Sequence, residues 1–178
     1  MKTAFYIFFL SIIISVLYSC EVDEKRMTDF EDYSGPTQII YGAVILHSDS
    51  GVVKAKIEAE EILEFDNGNK DLPLGVYLEF FNSSGQTTGT LKADHAVYTK
   101  EDELWRAWGN VILNNIANGE RLNTEELFWD PKNEKVFTEN FVQISTKDQV
   151  LLGEGLMADQ DFSSWQITKP TGELTIEE

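Results

Sequence analysis

Residues 91–113 read LKADHAVYTKEDELWRAWGNVIL, residues 121–144 read RLNTEELFWDPKNEKVFTENFVQI, and residues 151–167 read LLGEGLMADQDFSSWQI. Laid over one another at an offset of 31, Leu91 falls on Leu122, Asp94 on Glu125, Ala96 on Leu127, Tyr98 on Trp129 and Val111 on Val142. A fainter copy lies upstream at an offset of 34, where Ser50-Gly51, Ser84-Gly85 and Asn118-Gly119 align and Ala59 and Gly75 meet Ala93 and Gly109. Repeats of roughly 20–50 residues mean stacked supersecondary units, none able to bury its apolar face alone.

The unit reads as a β-hairpin. Val76-Tyr77-Leu78-Glu79-Phe80, Val111-Ile112-Leu113 and Phe141-Val142-Gln143-Ile144 are short runs rich in β-branched and aromatic residues, bounded by Gly, Asn, Asp, Ser or Pro. Val76, Leu78 and Phe80 share one face opposite Glu79, and Val142 and Ile144 share one opposite Gln143, as the pleat requires. Asn67-Gly68, Ser84-Gly85 and Asn118-Gly119 supply residues that tolerate positive φ, and Asp130-Pro131-Lys132-Asn133 sets a Pro-led turn. Upstream, Ile39 to Leu46 and Gly51 to Ile57 read as the first strands. Ile57 to Phe65 has the propensity of an amphipathic helix, but its alignment with LKADHAVY favours strand.

The chain has 178 residues. Met1 to Ser19 carries one basic residue, Lys2, before an apolar stretch from Ala4 to Tyr18. Fifteen residues rising 1.5 Å each span about 22 Å, short of a hydrocarbon core of roughly 30 Å, so the stretch reads as a signal segment, 1–19. Leu17-Tyr18-Ser19-Cys20 resembles a bacterial lipobox, with Cys20 as the acylated first residue of the mature chain and a membrane anchor. Cys20 is also the single cysteine, which excludes an intrachain disulfide. Residues 20–35 are polar and acidic and end in Ser34-Gly35-Pro36, the composition of a tether, leaving 36–178 as one domain.

After Ser19 stand 31 acidic and 13 basic residues, a net charge near −18. So acidic a chain repels a phosphate backbone and shows no basic stripe, which excludes nucleic acid as a partner. Parts for catalysis are missing too. His47 and His95 lie in different repeats, no second cysteine or His-x-x-x-His spacing marks a metal site, and no G-x-S-x-G marks a nucleophile. Glu101-Asp102-Glu103 and Glu125-Glu126 lack the calcium-loop pattern and read as a charged turn and a solvated face. Gly153-Glu154-Gly155 lacks the end of a phosphate loop and marks bulged or closely approached backbone. What remains is the apolar face. Trp105, Trp108, Trp129 and Trp165 with Phe128, Phe137, Phe141 and Phe162 form a sandwich core, or a face partly open to an apolar ligand.

The combination of ADHAVY (93–98) with GNV (109–111), LNTEELFWD (122–130) with TENFVQI (138–144), and GEGLMAD (153–159) with FSSWQI (162–167) resembles the periplasmic lipopolysaccharide-export family LptC, of the wider OstA-like repeat group. The resemblance covers about Ile39 to Ile167. It implies an all-β, open, twisted β-jellyroll of stacked antiparallel strands with lipid acyl chains in its groove. It implies no enzyme and no cofactor. The implied role is to take lipopolysaccharide from an inner-membrane ABC transporter and pass it to a periplasmic LptA-like protein, through strand edges on which one jellyroll continues into the next. Familiar members carry an uncleaved transmembrane helix where this chain offers Cys20, so the expected place is a Gram-negative envelope, facing the periplasm, with the inner membrane favoured.

Strand alternation and the repeat select Leu78, Phe80, Val111, Leu113, Val142 and Ile144 as groove or core residues, and place Gly153 and Gly155 near a C-terminal docking edge. The partners expected are therefore lipopolysaccharide, the transporter, the LptA-like protein and the membrane, with a homodimer also admitted by the free edges. The competing readings are an envelope lipoprotein that binds protein through a β-module with a closed core, and a lipocalin-like barrel.

Overall fold

The computed structural model describes residues 33–171. The expectations for the signal segment, Cys20 and most of the tether lie outside the described residues. Pro36–Glu178 forms a compact unit. Eleven strands follow one another: β1 (Gln38–Asp49), β2 (Val52–Glu64), β3 (Lys70–Leu72), β4 (Val76–Phe81), β5 (Thr87–Ala93), β6 (His95–Thr99), β7 (Leu104–Asn115), β8 (Arg121–Asp130), β9 (Lys135–Ser145), β10 (Val150–Asp159) and β11 (Trp165–Thr171). The described residues are all-β and every pairing is antiparallel, the architecture of a β-jellyroll. Ile57 to Glu64 lies inside β2, so tertiary pairing overrides its local helical propensity.

The repeat is visible in three dimensions. Leu91 and Leu122, Ala96 and Leu127, and Val111 and Val142 are all buried. Gly51, Gly85 and Gly119 turn the hairpins at φ of 80°, 75° and 72°. These are left-handed values that an L side chain adopts only with strain.

Two long strands each divide one edge between two partners. β2 pairs β4 through Ala55–Glu58 and β3 through Leu63–Glu64. β7 pairs β6 through Leu104–Trp108 and β5 through Ile112–Asn115. Since β3 also pairs β6 and β4 pairs β5, strands β2, β4, β5, β7, β6 and β3 form a closed hydrogen-bonded circuit. β1 extends this circuit on one side and β8 to β11 on the other, so β1 and β11 are the free edges among the described residues.

The sheet turns where register is lost. Shifts occur between Trp108 and Val111, Thr124 and Phe128, and Glu154 and Leu156, with Gly109, Asn110 and Gly155 at positive φ beside them. Each bulge sharpens the local twist, and a row of them folds the sheet back on itself so that its apolar faces meet in one core.

Candidate functional site

Leu78, Phe80, Val111, Leu113, Val142 and Ile144 all point inward and are at most 5% exposed. They belong to a single cluster with Ile57, Leu91, Leu122, Leu127 and Trp129. The structure thus brings the six positions together, packed on one another. Gly153 and Gly155 lie in β10, one strand in from the edge. A side chain at Gly153 would clash with Ile167 Cγ2, and Gly155 sits in the bulge between the Glu154–Phe141 and Leu156–Thr138 pairs with φ 75°.

The interior opens to solvent in a cleft of about 1060 Å³. One wall is the end of β1, Ile45 to Asp49. The facing walls are Tyr98 and Lys100 of the β6–β7 hairpin with Trp105, and the β8–β9 turn Pro131 to Glu134. Rings line the way inward: Tyr98 packs on Trp105 at 5.2 Å, Trp105 on Trp129 at 6.4 Å, and His47 meets the Trp129 ring edge-on at 5.9 Å. Beyond Trp129 lies Phe80, at 5.5 Å, so the aromatic row runs from the cleft into the core. Such rings present large apolar faces that pack on one another in preferred offset and edge-on arrangements.

Charge around the rim is balanced, unlike the chain as a whole: Lys70, Lys100 and Lys132 stand beside Asp49, Glu103 and Glu134. Lys54 bridges to Glu134 at 2.9 Å, and the hydrogen bond to that carboxylate holds its ammonium above the usual lysine range. Partial burial pushes the Lys70 ammonium down, although Lys70 also pairs with Glu64. Asp130 caps the turn by accepting from the Asn133 backbone at 3.0 Å and its side-chain amide at 2.6 Å. That amide bond holds the Asp130 carboxyl below the usual range.

No group of three or more His, Cys, Asp or Glu is arranged to hold a metal ion among the described residues. His95 stacks on Trp108 at 5.4 Å, away from the cleft row. No helix of the described residues is long and apolar enough to cross a membrane.

The family model described as "Lipopolysaccharide-assembly, LptC-related" matches residues 5–169, nearly the whole chain. The chain belongs to the LptC family. LptC proteins are non-enzymatic components of lipopolysaccharide transport in the Gram-negative envelope, working with a transporter and LptA-like partners, and the absence of catalytic parts in the sequence agrees with that. No curated protein matches the chain.

Within this LptC chain the sequence missed His47 and Ile45 as cleft walls, whereas Phe162, read among the aromatics of the apolar face, is fully buried in the core. A signal for the first existed. Tyr98 and Trp129 occupy equivalent repeat positions, so two aromatics were bound to fall on the same inward rank and define where it opens.

Proposed function

We propose that this LptC protein accepts lipopolysaccharide from an inner-membrane ABC transporter, shelters its acyl chains along the aromatic row and the apolar interior, and passes it to a periplasmic LptA-like protein. The observation that carries this reading is the cleft, whose ring-lined floor is continuous with the core through Trp129. Leu78, Phe80, Val111, Leu113, Val142 and Ile144 then become lipid contacts as the interior parts, and the balanced rim lets a phosphorylated head group approach an otherwise acidic protein. The free strands β1 and β11 serve as docking edges. On β1, Ile39, Tyr41, Val44 and Leu46 are exposed, an apolar stripe suited to a covering partner. Acylated Cys20 supplies the anchor, with the inner membrane as its place.

In-cell photo-crosslinking tests the reading, with a photoreactive residue at Ile45 or Tyr98 in the cleft and at Glu79 or Gln143 outside it. Lipopolysaccharide adducts confined to the cleft positions are expected. A second reading has an observation of its own: the six core positions are closed to solvent. If only protein adducts form, the chain is a protein-binding β-module with a sealed core.

A further inference from the structure

The β10–β11 loop closes one end of the core with a side chain in an unfavourable backbone state. Phe162 is fully buried at φ 59° and stacks on Trp165 at 5.9 Å. Positive φ is strained for a bulky residue, and such strain persists only where surrounding contacts enforce it. Within the loop, Phe162 donates its backbone N–H to the Asp159 carbonyl at 2.8 Å and Asp159 donates its own to the Ser164 carbonyl at 2.9 Å, while separate bonds tie the loop to the rest of the fold. Gln160 donates its backbone N–H to the Glu134 carbonyl at 3.0 Å, Asn115 donates its side-chain amide to the Asp161 carbonyl at 3.0 Å, and Gln160 Oε1 accepts from the Trp129 indole at 2.9 Å. Gly89 admits the close approach, since a Cβ there would lie 2.9 Å from Asp161 Cα.

We propose that this loop is a plug that lipid displaces, with Phe162 occupying in the unloaded domain the apolar space an acyl chain takes in the loaded one. The inference rests on the lipid-carrying reading above and names the element that regulates it. Its coupling to the cleft runs through Trp129 and through Glu134, the cleft-wall residue whose carbonyl takes the Gln160 N–H. Trp129 holds Gln160 with its indole N–H while its ring faces His47 and Trp105, so an alkyl chain moving along the aromatic row presses on the group that latches the loop. Segments fastened by isolated bonds rather than a continuous ladder open at lower cost than the strands around them.

A thermodynamic cycle separates a plug from a permanent end cap. If lipid expels Phe162, trimming that side chain weakens the unloaded fold alone, and lipid affinity rises by the same factor. If Phe162 packs equally well in both states, affinity does not change. The test uses the full chain in detergent with purified lipid A as the probe, comparing wild type with Phe162→Leu and Gln160→Ala. Both variants are expected to melt at lower temperature when unloaded and to bind lipid A more tightly, on the order of tenfold. Variants that melt lower yet bind lipid A with wild-type or weaker affinity overturn the plug and leave the transport reading standing. A wild-type chain that binds no lipid A overturns both.

Discussion

Asn110 donates its side-chain amide to the Asp94 carboxylate across 2.5 Å, joining the β5–β6 junction to the bulge of β7. Asp94 in turn donates its backbone N–H to the Gly109 carbonyl at 2.9 Å. This small lock sits where β7 changes partner from β6 to β5, so it fixes the point at which the circuit of strands divides.

Gly109→Ala is therefore expected to destabilise the domain. The residue has φ 76°, and an added Cβ would lie 3.0 Å from Asp94 Cβ and 3.1 Å from its carboxylate. Backbone strain of this kind costs about 1–3 kcal/mol. Urea unfolding should show a lower midpoint with an unchanged slope. An unchanged midpoint would mean that the bulge relaxes without cost.

Leu113 is fully buried and directly opposite Leu91 and Leu122 on the neighbouring strands. Leu113→Ala should cost about 2–5 kcal/mol. Leu113→Asp, which leaves an unpaired charge in the core, should abolish the cooperative transition. Lipid binding at this position is thus best probed with Leu113→Met, which keeps the volume; a folded Asp variant in circular dichroism would place Leu113 outside the core.

The burial of Leu113 follows from pattern alone, since period-two alternation and the repeat both put it inward. The same holds for Phe80, Val142 and Ile144, and the exposed hairpin tips at Gly85 and Gly119 follow from their turn residues. The partner exchange along β7 was not legible. The sequence marks Gly109-Asn110 as the boundary of the Val111–Leu113 run, whereas one twelve-residue strand passes through it, and only the non-local pairing with β5 and β6 shows that the partner changes there. Phe162 was legible as an aromatic of the apolar face, but its seat at positive φ was not, because the close approach of its loop depends on Gly89, far away in sequence. Cleft geometry likewise depends on how β1 faces the β8–β9 turn, which no local signal encodes.

Asp130 predicts an acid-sensitive cleft wall. Its carboxyl is held below the usual range by the Asn133 amide, so its contribution to stability is complete above its unfolded value near pH 4 and is lost as pH falls through the lower folded value. Asp130→Asn should cost under about 1 kcal/mol at neutral pH, because the group is largely solvated. It should also flatten the fall in stability below about pH 4. Denaturation followed from pH 7 to pH 2 checks both, and parallel curves for the two proteins would remove Asp130 from the acid response.

Gly153 offers a way to loosen the C-terminal edge while leaving the core intact. It pairs with Val142 on β9 and Pro170 on β11, and a Cβ there would clash with Ile167 Cγ2 and lie 2.7 Å from the Lys169 carbonyl. The second contact is backbone, so no rotamer change relieves it. Gly153→Ala must push β11 away from β10. Hydrogen exchange should then quicken for the amides of Gln166 to Lys169 while those of Val142 and Ile144 keep their protection, since the core strands pair without β11. If β11 is the edge on which the LptA-like partner continues the sheet, the same variant loses that partner in pull-down yet still forms lipopolysaccharide adducts in the cleft. A variant whose β11 amides exchange rapidly while partner binding stays intact would move the docking surface away from this edge, leaving β1 as the edge that meets the LptA-like protein.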